Sequence, residues 1–271
     1  MPELPEVETV RRGLAPHLVG RSLTGAWVRQ PRLRWPVPAG LDRHLRGRRI
    51  LAVERRGKYL LIALDRDHLI LHLGMSGSLR VVSARQPPGP HDHIDLLLDD
   101  DRVLRLRDPR RFGALLLSAD PASHPLLRDL GIEPLSAEFD GDWLHAATRG
   151  RAAPIKNLIM DAHVLVGVGN IYANESLFRA GIHPLLAAGK LSRPRCARLA
   201  TAIQETLAAA IRAGGSTLRD FVDSDGQAGY FQQDYYVYGR IGAACRQCGG
   251  LVRGVRLGGR ATAFCPNCQR R

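Results

Sequence analysis

The chain has 271 residues, is 45% hydrophobic and 24% charged, and carries a net charge of +13. This length allows one large domain or two ordinary ones with separate cores, and the composition is globular. No apolar run is long enough to span a bilayer, and no basic amphipathic helix has an aromatic face, so the basic excess points to a polyanion rather than a membrane. The basic residues are 36 Arg and three Lys, at positions 58, 156 and 190. Where Arg serves almost everywhere, a retained Lys is informative, because an amine can lose its proton and a guanidinium effectively cannot.

The chain opens Met1-Pro2-Glu3-Leu4-Pro5-Glu6. Pro5 suits the first turn of a helix, expected over roughly 5–14. The same segment has a chemical reading. Removal of Met1 would leave Pro2 with a free secondary amine, which titrates near 8 and can attack an electrophilic sugar or carbonyl carbon to form an iminium. Glu3 beside it could donate or accept a proton. Short apolar segments then follow at 50–53, 58–64, 69–73, 94–98, 103–106 and 113–117, separated by polar residues or glycine. Without strand–helix alternation they indicate an antiparallel sandwich or barrel. Residues 121–150 are rich in Pro, Asp and Gly and mark a connection. From about Ala153 the pattern is helical, clearest over 192–213, where Leu199, Ile203, Leu207 and Ile211 recur every four residues between Ser192 as N-cap and Gly214.

The tail carries the most specific local signal. Cys245-x2-Cys248 and Cys265-x2-Cys268, with sixteen residues between the pairs, have the spacing of a closed four-thiolate zinc site on a β-hairpin, which is structural rather than catalytic. The fifth cysteine, Cys196, reads as a small core residue. From Gly239 to Arg271 there are seven Arg and no acidic residue, a charge suited to phosphate. Three lookalikes fail. Gly167-Val168-Gly169 lacks the third glycine of a dinucleotide fingerprint, and Gly189-Lys190 lacks the rest of a phosphate-binding loop. Cys265-Pro266-Asn267-Cys268 has no companion His-x-Glu or Cys-x-Glu of a zinc deaminase.

Six segments, in this order, resemble the bacterial formamidopyrimidine-DNA glycosylase family: Pro2-Glu3-Leu4-Pro5-Glu6-Val7-Glu8-Thr9, Arg56-Gly57-Lys58-Tyr59-Leu60, His72-Leu73-Gly74-Met75-Ser76-Gly77, Asp108-Pro109-Arg110-Arg111-Phe112-Gly113, Gly167-Val168-Gly169-Asn170-Ile171-Tyr172-Ala173 and the four-cysteine tail. The resemblance implies an α+β fold: an N-terminal antiparallel β-sandwich with an N-terminal helix, and a C-terminal helix–two-turn–helix domain with a four-cysteine zinc-finger β-hairpin. On this basis the domains are expected at 2–130, 131–152 (linker), 153–235 and 236–271. It also implies a bifunctional DNA glycosylase and abasic-site lyase that removes oxidised purines, 8-oxoguanine and formamidopyrimidines, from duplex DNA. One structural zinc ion, a monomer and a cytoplasmic, nucleoid-associated location complete the expectation.

Carried over by position, Pro2 would be the Schiff-base nucleophile at C1′, Glu3 the proton donor that helps open the sugar, and Lys58 the general acid/base of β-elimination. Arg260 would serve δ-elimination, although a guanidinium is a poor acid and its main physical role is expected to be holding phosphate. Met75, Arg110 and Phe112 match the side chains that fill the stack when a base is flipped, a task suited to a thioether, a guanidinium facing the unpaired cytosine and an aromatic wedge. His91, Arg110, Arg151, Lys156, Asn170 and Arg260 would contact phosphates. The polar stretch 216–230 resembles the family's lesion-capping loop. Two alternatives stand beside this reading. One is an endonuclease-VIII-like enzyme of the same superfamily, for oxidised pyrimidines, against which Leu4 and the Met75/Arg110/Phe112 set argue. The other is a zinc-finger DNA-binding protein without catalysis, which would leave Pro2, Glu3 and Lys58 unexplained.

Overall fold

In the computed structural model, which describes residues 1–214 and 235–270, the chain opens with helix α1 (Leu4–Leu18). Glu3 is its N-cap, and a reciprocal capping box joins Glu3 and Glu6: the Glu3 backbone N–H donates to Glu6 Oε2 at 2.7 Å. The helix runs past the expected end at residue 14 and through Pro16, because Leu14 and Leu18 are both fully buried and hold the last turn in the core. Glu8 lies on the same helix and receives guanidinium hydrogen bonds from Arg11, Arg12 and Arg55. Burial raises its pKa, but the bonds from Arg11 and Arg12 and the charge of Arg55 outweigh this and bring it down to about 2.

The strands are β1 (Ser22–Val28), β2 (Arg48–Arg56), β3 (Tyr59–Leu64), β4 (His68–His72), β5 (Ser78–Ser83), β6 (Asp92–Leu98), β7 (Arg102–Arg107) and β8 (Ala114–Ser118), with the short helix α2 (Leu41–Leu45) between the first two. All pair antiparallel, in the order β5-β7-β6-β1-β2-β3-β4-β8. The β1–β2 join is only Ser22↔Arg49 and Leu23↔Arg48. The sheet therefore folds there into two four-stranded layers, and one core draws on both: Leu23, Leu79, Ile94, Leu96, Leu104 and Leu106 from one, Ile50, Leu60, Ile62, Leu69, Leu71 and Leu115 from the other. Beyond Leu23 the freed edge of β1 is capped by α2, where the Asp42 carboxylate accepts the Ala26 N–H at 3.0 Å. This is the expected sandwich, with β1 and β5 added to the strands visible in the sequence.

The chain divides into two compact units, one built on Met1–Arg128 and the other on Asp129–Arg212 with the chain from residue 235 onward. The second unit contains α3 (Gly141–Thr148), α4 (Ile155–Met160), α5 (Asn170–Arg179) and α6 (Arg193–Arg212), then the hairpin β9 (Arg253–Leu257) and β10 (Arg260–Phe264). Helix α3 falls within the stretch read as a connection and packs on α6. Cys196 is fully buried on α6, as a small core residue. Between α4 and α5 the chain makes two turns, with Gly167 in the left-handed region at φ 89°. The stretch 216–230 lies outside the described residues. Among the described residues no helix is long and apolar enough to cross a membrane.

Candidate active site

The chain terminus is where the first unit gathers charged side chains around a backbone amine. Pro2 and Glu3 are buried, and Glu6 is completely so. Burial lowers the pKa of the terminal ammonium of Met1; Glu3 and Glu6 pull it back up, and Lys58 and Arg110 push it down. The structure thus brings Glu3, Glu6, Lys58 and Arg110 within electrostatic reach of the first backbone nitrogen. Lys58 does not sit in a strand. It lies with Gly57, at φ 56°, in the turn that joins β2 to β3, where it is half-buried.

Two loops beside this point carry the expected intercalating residues. The 73–77 loop presents Met75 and the 108–113 loop presents Phe112, both among the large apolar side chains left exposed, at 39% and 46%. Neither packs in the core, and burying such surface against an unstacked base would be favourable. The Arg110 guanidinium lies 4.9 Å from the centroid of the Phe112 ring, a cation–π pair. The loops back directly onto each other: a Cβ on Gly74 would come within 2.5 Å of the Phe112 carbonyl carbon and the Gly113 nitrogen, so no larger residue fits. His72, at the end of β4, accepts the Gly74 N–H on Nδ1 at 3.0 Å. Burial first, then Lys58 and Arg34, lower its pKa to about 4, so it is neutral at pH 7. His91 is exposed at the start of β6, and its ring lies 6.4 Å from that of His93. These two histidines join no metal-binding group among the described residues.

In the second unit, Asn170 begins α5 and links the two-turn segment to the hairpin: its Nδ2 donates to the Ala261 carbonyl at 3.1 Å. Lys156, expected at a phosphate, is 1% exposed instead. Its ammonium donates to Asn170 Oδ1 at 2.7 Å, Thr262 Oγ1 at 2.7 Å and the Ala261 carbonyl at 3.2 Å, and so ties α4 to α5 and β10. Three acceptors make burial of this charge tolerable. Arg260 is exposed at the start of β10, just after Gly258 and Gly259, whose φ values of 54° and 75° form a tight two-residue hairpin turn. Arg151 is exposed in the loop before α4, with its backbone carbonyl accepting the Gly189 N–H.

The four cysteines flank this hairpin, and their sulfurs all lie within 4.8 Å of one another. Cys248 and Cys265 are 3.5 Å apart, and Cys245 and Cys268 3.9 Å. A tetrahedral ion with metal–sulfur bonds of about 2.3 Å requires sulfurs about 3.8 Å apart, so the donor set fits. The Gly250 N–H and hydrogen bonds from the other thiols draw the Cys248 thiol down to about 7, whereas burial and the neighbouring thiols push Cys268 up. Four thiolates this close need a cation, and the site is a structural metal centre.

Three family models match the chain in order: the formamidopyrimidine-DNA glycosylase N-terminal domain over residues 1–115, that family's H2TH domain over 130–222, and a zinc finger found in FPG and IleRS over 242–271. Together they cover most of the sequence. The chain belongs to the formamidopyrimidine-DNA glycosylase family. A formamidopyrimidine-DNA glycosylase of Aromatoleum aromaticum is 61% identical over the full length of both chains, and that of Marinobacter nauticus 55%. Among solved structures, the MutM (FPG) protein of Thermus thermophilus is 42% identical with a TM-score of 0.87, covering 99% of this chain and 98% of its own. Lactococcus lactis FPG G226P in complex with Fapy-dG-containing DNA is 35% identical with a TM-score of 0.91, covering both chains fully.

Several side chains act in ways that residue type and spacing alone do not announce. Glu175, 3% exposed on α5, accepts the backbone N–H groups of Tyr236 at 2.9 Å, Val237 at 3.0 Å and Tyr238 at 2.9 Å. It fixes the chain entering the metal centre, and the Tyr236 ring stacks on Phe178 at 5.1 Å. His72 and Asp108 likewise work through backbone acceptors and donors, a role that no spacing pattern announces.

Proposed function

We propose that this glycosylase removes oxidised purines, 8-oxoguanine and formamidopyrimidines, from duplex DNA through a Schiff base on Pro2, then cleaves the strand by β,δ-elimination in base excision repair. The observation that carries the reading is the buried chain terminus ringed by Glu3, Glu6, Lys58 and Arg110. With Met1 removed, the secondary amine of the buried Pro2 becomes the chain terminus, and burial favours its unprotonated, nucleophilic form. Its lone pair forms a bond to C1′ as the C1′–base bond breaks, and the base leaves with a proton. Glu3 supplies a proton to the sugar oxygen as the ring opens to the iminium. The iminium acidifies the C2′ hydrogen; Lys58 handles proton transfer as the 3′ phosphate leaves, and a second elimination releases the 5′ phosphate.

Binding uses the charge of both units. His91, Arg110, Arg151, Asn170 and Arg260 hold phosphates, with Lys156 acting through Asn170 and the hairpin it anchors. Met75, Arg110 and Phe112 fill the space left by the flipped purine, Arg110 facing the widowed cytosine. Solved complexes of Lactococcus lactis Fpg hold Fapy-dG-containing and abasic-site DNA, which supports the same substrate class here. Cys245, Cys248, Cys265 and Cys268 would hold one zinc ion, which when bound supplies a closed, structural coordination sphere. The functional test is incubation with a duplex carrying 8-oxoguanine opposite cytosine. The expected product is free base and a one-nucleotide gap bounded by phosphates. An intact strand, with an oxidised-pyrimidine duplex cleaved in parallel, would move the assignment to the endonuclease-VIII-like reading.

A further inference from the structure

We propose that Asp108 is a positioning residue for base extrusion: its carboxylate closes the 108–113 loop end to end and so holds Arg110 and Phe112 in their presenting shape. The proposal rests on the wedge role given to those two residues above. Asp108 is wholly buried immediately after β7. Its Oδ2 accepts the N–H of Gly113 at 2.7 Å, joining the first residue of the loop to the last. Its own N–H donates to the His91 carbonyl at 3.0 Å, and its carbonyl accepts the Arg111 N–H at 3.1 Å. The same carbonyl lies 2.9 Å from His93 Nε2. A carbonyl can only accept, so this nitrogen carries the proton. One side chain and its peptide groups thus bind the wedge loop to His91 and His93 at the start of β6.

Two features set this apart from ordinary loop packing. The second carboxylate oxygen, Oδ1, is buried and has no hydrogen-bond partner among the described residues. An unpaired buried carboxylate oxygen is unfavourable, and a purely structural turn could avoid it with a different closing residue. Arg111, between the two presented side chains, takes the left-handed conformation at φ 56°, which non-glycine residues adopt at a cost. The loop has no slack at its far end either. A Cβ on Gly113 would fall 2.7 Å from the His72 carbonyl and 2.9 Å from Asp108 Oδ2. The Gly113 carbonyl is also held, by the Arg34 N–H at 3.0 Å. The Asp108 carboxylate is therefore the link that converts a strained segment into a rigid presenter.

The test compares two reactions of the full-length, metal-loaded enzyme: excision of 8-oxoguanine paired with cytosine, which requires a stacked base to be displaced, and cleavage of an abasic site, where no base remains to extrude. Asp108→Ala is expected to lower the ratio of excision to abasic-site cleavage at least tenfold, with melting temperature recorded to check folding. Asp108→Asn, whose amide oxygen can still accept from Gly113, is expected to restore that ratio to within about threefold of the unaltered protein. The double variant Asp108→Ala/Phe112→Ala is expected to have the same ratio as Phe112→Ala alone, because the carboxylate acts through the ring it presents. Equal loss of both reactions in Asp108→Ala, or an unchanged ratio, would overturn the proposal. So would additive losses in the double variant. If the unaltered protein cleaves neither substrate, it is the glycosylase/lyase reading itself that fails.

Discussion

His72 illustrates how a single side chain can be committed to one protonation state. Its Nδ1 is occupied by the Gly74 N–H, and burial with the charges of Lys58 and Arg34 lowers its pKa to about 4, against an ordinary 6.5. The unfolded chain therefore takes up this proton first. Above pH 6.5 the group contributes no pH dependence. As the pH falls from about 6.5 to about 4 it withdraws stability, at no more than about 1.4 kcal/mol per pH unit. Urea midpoints of the protein and of His72→Asn should accordingly converge across that window and run parallel above it. Parallel curves down to pH 4 would contradict the assignment. Position 72 was visible only as part of a motif, whereas the four cysteines announced their chemistry by residue type and spacing. His72, Asp108 and Glu175 act on backbone groups that only the folded chain brings to them.

Lys156 sets α4, α5 and β10 in fixed relation, and that makes it separable from the arginines proposed to meet DNA. Lys156→Met leaves Thr262 Oγ1 without this donor and Asn170 Oδ1 with only the 3.3 Å bond from Asn174 Nδ2, so duplex affinity should fall roughly tenfold, about 1.4 kcal/mol, through misplacement of Asn170 and the hairpin. The slope of log K against log salt should stay unchanged. Arg260→Ala should instead reduce that slope by about one, the signature of a lost phosphate contact. An equal slope change in both variants would show that Lys156 itself meets a phosphate. The elements themselves were unequally legible. α6 declares itself through Leu199, Ile203, Leu207 and Ile211, all turned inward. β1 does not, since Gly25 and polar residues interrupt its apolar pattern and α2 covers its edge. β5 pairs only with β7 at the rim of the sheet, and Arg80 and flanking serines blur its alternation. α4 and α5 are short, and neither N-cap residue, Pro154 or Gly169, makes a side-chain cap. What fixes them is the packing and the Lys156 hub rather than local propensity.

Each unit has its own hydrophobic core, one formed by the two sheet layers and α1, the other including Phe178, Val237, Val252 and Cys265 around the metal centre. Chelation of the metal should therefore act unevenly. Without it, four converging thiols lose the ion that holds the hairpin, and DNA affinity should collapse. The β-sandwich, whose core contains no metal ligand, should keep its far-ultraviolet strand signal and its hydrogen-exchange protection. Loss of protection in both units together would contradict this independence. The net charge of +13, with seven Arg and no acid after Gly239, gives the enzyme affinity for any duplex. On the proposed reading, specificity then falls to the loops that carry Met75, Arg110 and Phe112 and to the chain terminus.

The central claim is that the chain's own first nitrogen is the nucleophile, and covalent capture tests it most directly. The enzyme is treated with borohydride on a duplex containing 8-oxoguanine opposite cytosine, beside Pro2→Gly, and the modified peptide is sequenced. A stable adduct on the nitrogen of Pro2, with Met1 absent, is the expected result. An adduct on Lys58 or another amine, or none from metal-loaded protein that binds the duplex, would contradict it.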